Sequence, residues 1–286
     1  MGVLLGLVTA FSWGTSDFFA RFVSRRVGAF YSLFYMQTCG FVLLTLYLFV
    51  THFWGHLFDG SGWRPWAWGF LAGACNTIAM FSFYRCLEVG KVAVVAPLSA
   101  SYPVLTLLLS VFSGERLTLL RASGIGVTLL GVILVARGES ASNDSAKNAK
   151  RGVAWALLAA TMFGMLFWLL GLRIISTTGP YASLWLIRMT GSLTSLCVLL
   201  ARRLPVLKSL GTSNWQPPLM GLLDTGAFAV SNRGMQLEQV SVITVLSSLY
   251  GAVTVMLAAI FLRERIAPLQ WVGIAAIFSG IFLIGQ

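Results

Sequence analysis

Charge is what this sequence has least of. Of its 286 residues only 10% are Asp, Glu, Lys or Arg, while 57% are hydrophobic, and the mean hydropathy is +0.83. A soluble domain carries about 25% charged residues, so this chain lacks the means to cover a globule with wetted surface. Histidine is nearly absent. His52 and His56 stand four apart in a loop with no third ligand, which makes a weak metal candidate. The four cysteines (Cys39, Cys75, Cys86, Cys197) fall inside apolar runs without CxxC spacing, so neither a disulfide framework nor a zinc site is indicated. There is no GxxxxGK[ST], no HExxH and no nucleophile elbow, so ATP-driven pumping and common hydrolase chemistry have no support. No cofactor is expected, and no nucleophile–base constellation points to an enzyme.

What the chain does have is apolar length. Runs of about 18 or more such residues cross a ~30 Å hydrocarbon core as a helix. Ten spans are expected, at 2–23, 29–51, 65–87, 91–113, 118–137, 152–174, 180–201, 218–237, 240–262 and 267–285. The chain therefore reads as an all-α, multi-pass membrane protein. Its first span, holding Trp13, Ser16 and Asp17 without a basic leader, reads as a retained helix.

The spans are one unit written twice. Residues 114–135 reappear 149 positions downstream, at 263–284: Glu115, Arg116, Gly124, Ile125 and Gly131 meet Glu264, Arg265, Gly273, Ile274 and Gly280. Gly14 meets Gly164, Gly40 meets Gly191, and Leu87-Glu88 meets Leu237-Glu238. The expected organisation is a first five-helix repeat over 1–137, a solvated polar linker over 138–151, and a second repeat over 152–286. Five is odd, so the second copy enters the membrane from the opposite side. Ten helices in two inverted repeats are typical of secondary transporters working by alternating access.

The net charge of +11 is distributed at span ends rather than along one helix, so no nucleic-acid partner is implied. Twelve cations, among them Arg25, Arg26, Lys91, Lys150, Arg202 and Arg263, share the face of the linker. Four (Arg64, Arg116, Arg121, Arg173) lie on the other. That count places the linker in the cytoplasm and both termini outside.

Buried charge in hydrocarbon is costly and marks interior or watery positions. Asp17 pairs with Arg21 one turn on, or faces a cavity. Arg188 lies deep in its span, with Gln37 as its repeat mate, and needs a carboxylate from substrate or protein; Asp224 on the next span is within geometric reach. Arg233 sits too far from Asp224 on the same helix to pair with it. Glu88 and Glu238 read as caps or anchors, with gating as the alternative. Spans 4 and 9 read as a pore-lining pair. Pro97 and Pro103 free carbonyls around Ser99, Ser101 and Tyr102, and the matching stretch offers Ser247, Ser248 and Tyr250. These hydroxyls suggest a polar central chamber, against the alternative of plain interhelical hydrogen bonds. Asn76 completes the polar set, and Trp13, Trp168 and Tyr84 either line an apolar pocket or pack in the core. Trp54, Trp63, Trp66, Trp68 and Trp215 read as interfacial belts, and Gly69/Gly73 as a close-packing pair.

Several short motifs resemble the EamA-like branch of the drug/metabolite transporter superfamily. They are Trp13-Gly14-Thr15-Ser16, Ala96-Pro97-Leu98, Tyr102-Pro103-Val104, Gly114-Glu115-Arg116-Leu117 and Phe261-Leu262-Arg263-Glu264-Arg265, with Arg263 where glycine is usual. Arg188 resembles an arginine common in that family's second span, from which Gln37 departs. The resemblance implies a ten-helix bundle with a central cavity and export or exchange of small metabolites such as amino acids, sugars or amphipathic compounds. It also implies cytoplasmic termini, opposite to the charge count. The expected partners are a small-molecule substrate, membrane lipid and a coupling proton carried by Asp17 or Asp224; the expected location is a bacterial inner membrane. A lipid or lipid-linked-precursor flippase, and a non-transporting receptor or assembly protein, are the alternatives.

Overall fold

A computed structural model of the chain describes residues 2–114, 118–137, 143–206, 208, 211, 214–237, 240–263 and 267–284. Every regular element among them is helical. In the first copy, α1 covers Gly2–Val27, α2 Ala29–Thr51, α3 Arg64–Val89, α4 Val92–Ser99, α5 Pro103–Phe112 and α6 Leu119–Arg137. In the second, α7 (Asn143–Leu169) runs through a π-helical turn, Leu170–Ile174, into α8 (Ile175–Thr178). Then come α9 (Pro180–Ala201), α10 (Gln216–Leu237), α11 (Val240–Ser248), α12 (Tyr250–Leu257) with a second π turn at Ala258–Leu262, and α13 (Pro268–Ile284).

Helix stands in each of the ten stretches expected from apolar length. Six segments are long and apolar enough to cross a membrane: Ala29–Thr51, Arg64–Val89, Val92–Phe112, Asn148–Thr178, Pro180–Ala201 and Ile243–Leu262. Leu119–Val135 and Pro268–Ile284 are apolar but shorter. α1 and α10 stay outside that set, and both carry a buried aspartate, Asp17 and Asp224, into the bundle.

Part of the stretch 138–151, expected as a solvated linker, is helical, with Asn148, Lys150 and Arg151 exposed. From Asn143 onward it is already α7. Ala146, Lys147, Ala149 and Lys150 are strong helix formers, and a helix nucleated by the apolar run behind them extends at one hydrogen bond per residue. Residues 138–142 lie outside the described residues, as do Glu115, Arg116, Glu238, Glu264 and Arg265 of the duplicated motifs.

Matched turns join matched helices. Gly28 (φ 93°) ends α1 and Gly179 (φ 95°) ends α8, each a one-residue turn. Ser32 N donates to Gly28 O (3.1 Å) as Ser183 N donates to Gly179 O (3.0 Å). No atom lies within 4 Å of a Cβ built on Gly28, so conformation alone demands glycine there. Elsewhere glycines set distance. A Cβ on Gly131 would lie 2.7 Å from Gly273 O, and one on Gly124 2.7 Å from Gly280 O. The residue order across this contact makes α6 and α13 antiparallel, with backbones touching. The expected pair Gly69/Gly73 seats α3 against Leu186 and Thr190 of α9.

The two copies clasp each other at the centre, where the rods α4–α5 and α11–α12 break. α4 gives way to α5 at 100–102, and α11 to α12 at Leu249. Proline explains only the first break, since the second copy has no proline at its own. Thr106 Oγ1 donates to Gly164 O of the other copy (3.1 Å), and Thr254 Oγ1 donates to Gly14 O (3.2 Å). The contact is reciprocal, as in two-fold-related units. Gly14 and Gly164 permit it: a Cβ on either would lie 2.9 Å from the carbonyl of Tyr250 or Tyr102.

Candidate functional site: an aromatic cavity with two aspartates

At that junction lies a narrow, half-open cavity, lined by Trp13 and Asp17 of α1, Met80 and Phe83 of α3, Phe163 and Phe167 of α7, Asp224 and Phe228 of α10, with Tyr102 and Tyr250 from the two breaks. Apolar walls with a few placed polar groups are the usual lining of a small-molecule site. The walls follow helical spacing. Trp13 and Asp17, Phe163 and Phe167, and Asp224 and Phe228 are each four residues apart and so share a face.

Aromatic edges define the shape. Trp13 meets Phe167 at 5.9 Å, Phe228 at 5.6 Å and Tyr250 at 6.2 Å, each edge to face. Phe167 stacks on Tyr102 at 4.8 Å and on Phe228 at 5.8 Å. The tyrosine hydroxyls turn away from the hollow and cross to the other copy. Tyr102 donates to Thr244 O (3.2 Å), and Tyr250 shares a hydrogen bond with Ser99 Oγ (3.2 Å). Anchored by their polar tips, the two rings present apolar surface inward.

The polar chamber expected from the serines is not what forms. Ser99, Ser101 and Ser248 donate to their own helices, at Ala96 O (2.9 Å), Leu98 O (2.7 Å) and Val245 O (2.7 Å). Ser247 is fully buried, and its hydroxyl has no partner among the described residues. None of the four lines the cavity. A hydroxyl in a helix reaches the preceding turn's carbonyl at almost no entropic cost, so local bonding wins over a shared chamber. Trp168 is also displaced: its indole N–H donates to Ser113 Oγ (3.0 Å) outside the cavity, and Phe167 takes the inward place. Tyr84 is buried behind the wall, against Phe83.

Behind Asp224 runs a buried polar chain. Arg188, wholly buried, pairs through Nη2 with the Asp224 carboxylate and donates through Nη1 to Gln37 Oε1 (3.0 Å). Gln37 Nε2 donates to Asn76 Oδ1 (3.0 Å), and the guanidinium carbon lies 5.5 Å from the Phe228 ring centre. Repeat mates Arg188 and Gln37 thus bond to each other. Arg188 Nε, Asn76 Nδ2 and Thr225 Oγ1 have no partner among the described residues. Arg188 finds its carboxylate within the protein and does not line the cavity.

Asp17 is placed differently. Arg21, its expected partner, donates to Leu87 O and to Gly90 O (2.7 Å), tying α1 to the end of α3. The structure gives the Asp17 carboxylate no ion pair among the described residues, and it faces the cavity. Arg233 is exposed and bonds to Gln236 (2.8 Å). Glu88 caps α2 through Ala29 N (3.1 Å) and pairs with Arg85 (2.7 Å). His56 meets Asp59 at 2.5 Å in the 52–63 loop, away from the bundle interior. No group of three metal-ligating residues exists among the described residues.

Sequence reasoning missed Met80, Phe83, Phe163, Phe167 and Phe228. Signals were present: Phe228 stands one turn after Asp224 and Met80 one turn after Asn76, while Phe163 and Phe167 are the repeat mates of Trp13 and Asp17 at a shift of 150.

A duplicated helical bundle closed round one central cavity is the architecture of a membrane transporter, and the comparisons with known proteins agree. The EamA-like transporter family matches residues 1–137 and 150–286, so the chain belongs to that family, once in each half. It is therefore a multi-pass integral membrane protein, and its family's members are transporters of the drug/metabolite superfamily rather than enzymes. The uncharacterized protein MJ1333.1 of Methanocaldococcus jannaschii is 28% identical over 134 residues, which is 46% of this chain but 94% of that protein. That relative is about one repeat long. A solved crystal structure is similar over 99% of this chain and 95% of its own, at a TM-score of 0.69 and 18% identity, a likeness that shows the fold alone.

Proposed function

We propose that the chain is a secondary transporter of small metabolites or amphipathic compounds, exporting or exchanging them by alternating access around the central cavity. The cavity's position carries this reading. It sits where both rods break and the copies exchange their Thr106 and Thr254 contacts. The antiparallel seam of α6 and α13 supports inverted repeats, in which each copy adopts in turn the shape the other has given up. Asp17, without an ion pair among the described residues, is suited to carry a coupling proton, while Asp224 is held by Arg188. A bacterial plasma membrane is the proposed setting.

Reconstituted protein is expected to show counterflow for at least one member of an amino-acid, sugar and amphipathic-compound panel, with Asp17→Asn losing proton-driven uptake but not exchange. Cysteine placed at Met80 or Phe163, in a background without native cysteines, is expected to react with a water-soluble maleimide from one side at a time. No counterflow across the panel, together with a cavity closed to the reagent from both sides, refutes the proposal.

One observation favours lipid transport as a second reading. Trp63, Arg64, Trp68, Arg173 and Thr177 line an outer groove between α3 and the π turn before α8, and two guanidiniums flanked by indoles suit an anionic headgroup. Scrambling of a fluorescent anionic phospholipid, lost in Arg64→Ala/Arg173→Ala, would favour that reading over the first.

A further inference from the structure

The outer groove, away from the central cavity, is graded from charged to apolar. Arg64, Ala67, Trp68 and Leu71 line it from one face of α3, at steps of three and four residues. Arg64 opens the membrane-crossing segment Arg64–Val89, and Leu71 lies about 10 Å further in at 1.5 Å per residue. Arg64, Ala67 and Leu71 are all exposed. The opposite wall comes from the second copy, with Arg173 in the π turn and Thr177 in α8. Thr178 Oγ1 donates to Pro65 O (3.0 Å), which sets the end of α8 beside the start of α3. Arg173 is exposed too, and neither guanidinium has an ion pair among the described residues. Duplication does not account for this pair of cations. At a shift of 150, Arg64 meets Asn214 and Arg173 meets Val23. Val23 is fully buried on α1, which passes that point as plain α-helix, whereas a π turn carries Arg173. Such turns are frequent at functional sites.

We infer that this groove holds one anionic phospholipid as a resident tie between the two copies. Its phosphate lies at the rim, where Arg64 and Arg173 both supply charge and a donor fork that matches phosphate oxygens. An acyl chain follows Ala67, Trp68 and Leu71 inward and covers their exposed apolar surface. A free phosphate ion fills only the charged end. A zwitterionic lipid brings a further cation beside the two already present. Because one wall belongs to the first copy and the other to the second, the bound lipid fastens the halves at this edge. The site stands apart from both transport readings, since a tie is bound at rest whether or not any lipid crosses.

Native mass spectrometry of delipidated protein, titrated with dioleoylphosphatidylglycerol, dioleoylphosphatidylcholine or inorganic phosphate, tests the site. One phosphatidylglycerol is expected to bind about tenfold or more tightly than phosphatidylcholine, since each cation near an anionic lipid contributes about fivefold. Inorganic phosphate is expected to bind more weakly than either lipid. Arg64→Gln and Arg173→Gln are each expected to lower the preference about fivefold, and the double variant to erase it. Both positions are exposed, so phosphatidylcholine binding should stay within about twofold of the parent. Arg233→Gln removes an exposed cation outside the groove and is expected to leave the preference unchanged. Phosphatidylglycerol is also expected to raise the unfolding temperature of the parent above its value in phosphatidylcholine, and not that of the double variant. Equal binding of the two lipids overturns the inference. So does an equal loss from Arg233→Gln and Arg173→Gln, because the attraction is then that of the net charge of +11. Phosphate bound as tightly as phosphatidylglycerol overturns it as well, by making the groove an ion site. A preference without the thermal shift removes the tie between the copies.

Discussion

Removing the Arg188 guanidinium tests the buried chain most directly. Arg188 is wholly buried and holds the Asp224 carboxylate, Gln37 Oε1 at 3.0 Å and the face of Phe228 at 5.5 Å. Two unit charges about 4 Å apart attract by about 4 kcal/mol at an effective dielectric of 20, and breaking a buried pair by deleting one partner costs about 3–5 kcal/mol. Arg188→Met is expected to fall in that range, because it strands Asp224 against Phe228 and leaves Gln37 short of a donor. Asp224→Asn strands the guanidinium among Met36, Gln37 and Phe228, with a loss of similar size. The double variant removes both charges together, and its loss is expected to be about 2 kcal/mol or more below the sum of the two single losses. Equilibrium unfolding in mixed micelles, followed by tryptophan fluorescence, measures all four corners of this cycle. Additive single losses, or an Arg188→Met variant within about 1 kcal/mol of the parent, would refute the idea that this pair is a coupled element of the bundle.

Three further predictions concern other parts of the molecule. Gly131→Ala puts a methyl 2.7 Å from both Gly273 O and Ile277 N, backbone atoms that cannot give way, and should cost about 1–3 kcal/mol in the same assay; Gly126→Ala on the same helix, with nothing within 4 Å, should be neutral or slightly stabilising, and equal effects would sink the seam. Trp168→Phe removes the bond to Ser113 and trims part of an indole packed against the core, and should lower stability by about 1–2 kcal/mol while leaving counterflow rates unchanged, whereas a large transport defect would put Trp168 back in the site. Asp59 is held down to about 2 by the Ser61 side chain, then by His56 and by the Ser61 amide, so the loop order it supports is complete above the usual carboxylate range and fades as the pH falls toward about 2. A carboxyl-carbon NMR titration checks this, and Ser61→Ala should shift the midpoint upward.

Much of the architecture was legible because membrane folding follows simple rules. Apolar length alone locates helices, since backbone groups in hydrocarbon must bond within their own segment, and ten expected stretches all carry helix. Spacing also exposed the duplication that the family match finds in both halves. The site was legible only in part. Asp17, Asp224, Trp13, Tyr102 and Tyr250 were singled out by polarity or repeat position and do line the cavity. Ser99, Ser101 and Ser248 were singled out for the same reasons and do not, because a hydroxyl's nearest acceptor is the carbonyl one turn back on its own helix. Residue type alone did not set Phe163 and Phe228 apart among 20 phenylalanines; only the repeat position of Trp13 and the spacing from Asp224 did.

Composition and periodicity, then, determined by themselves that this chain is a duplicated helical membrane protein, because each follows from interactions within a helix or from its contact with lipid. Tertiary structure decided that Asp224 is answered by a cation and that Asp17 has no ion pair among the described residues. Arg188 reaches Asp224 and Gln37 across helices, while Arg21 turns from Asp17 to the carbonyls of Leu87 and Gly90. Such pairings depend on distances between segments far apart in the chain, and those distances exist only once the glycine seams have set how closely the helices meet.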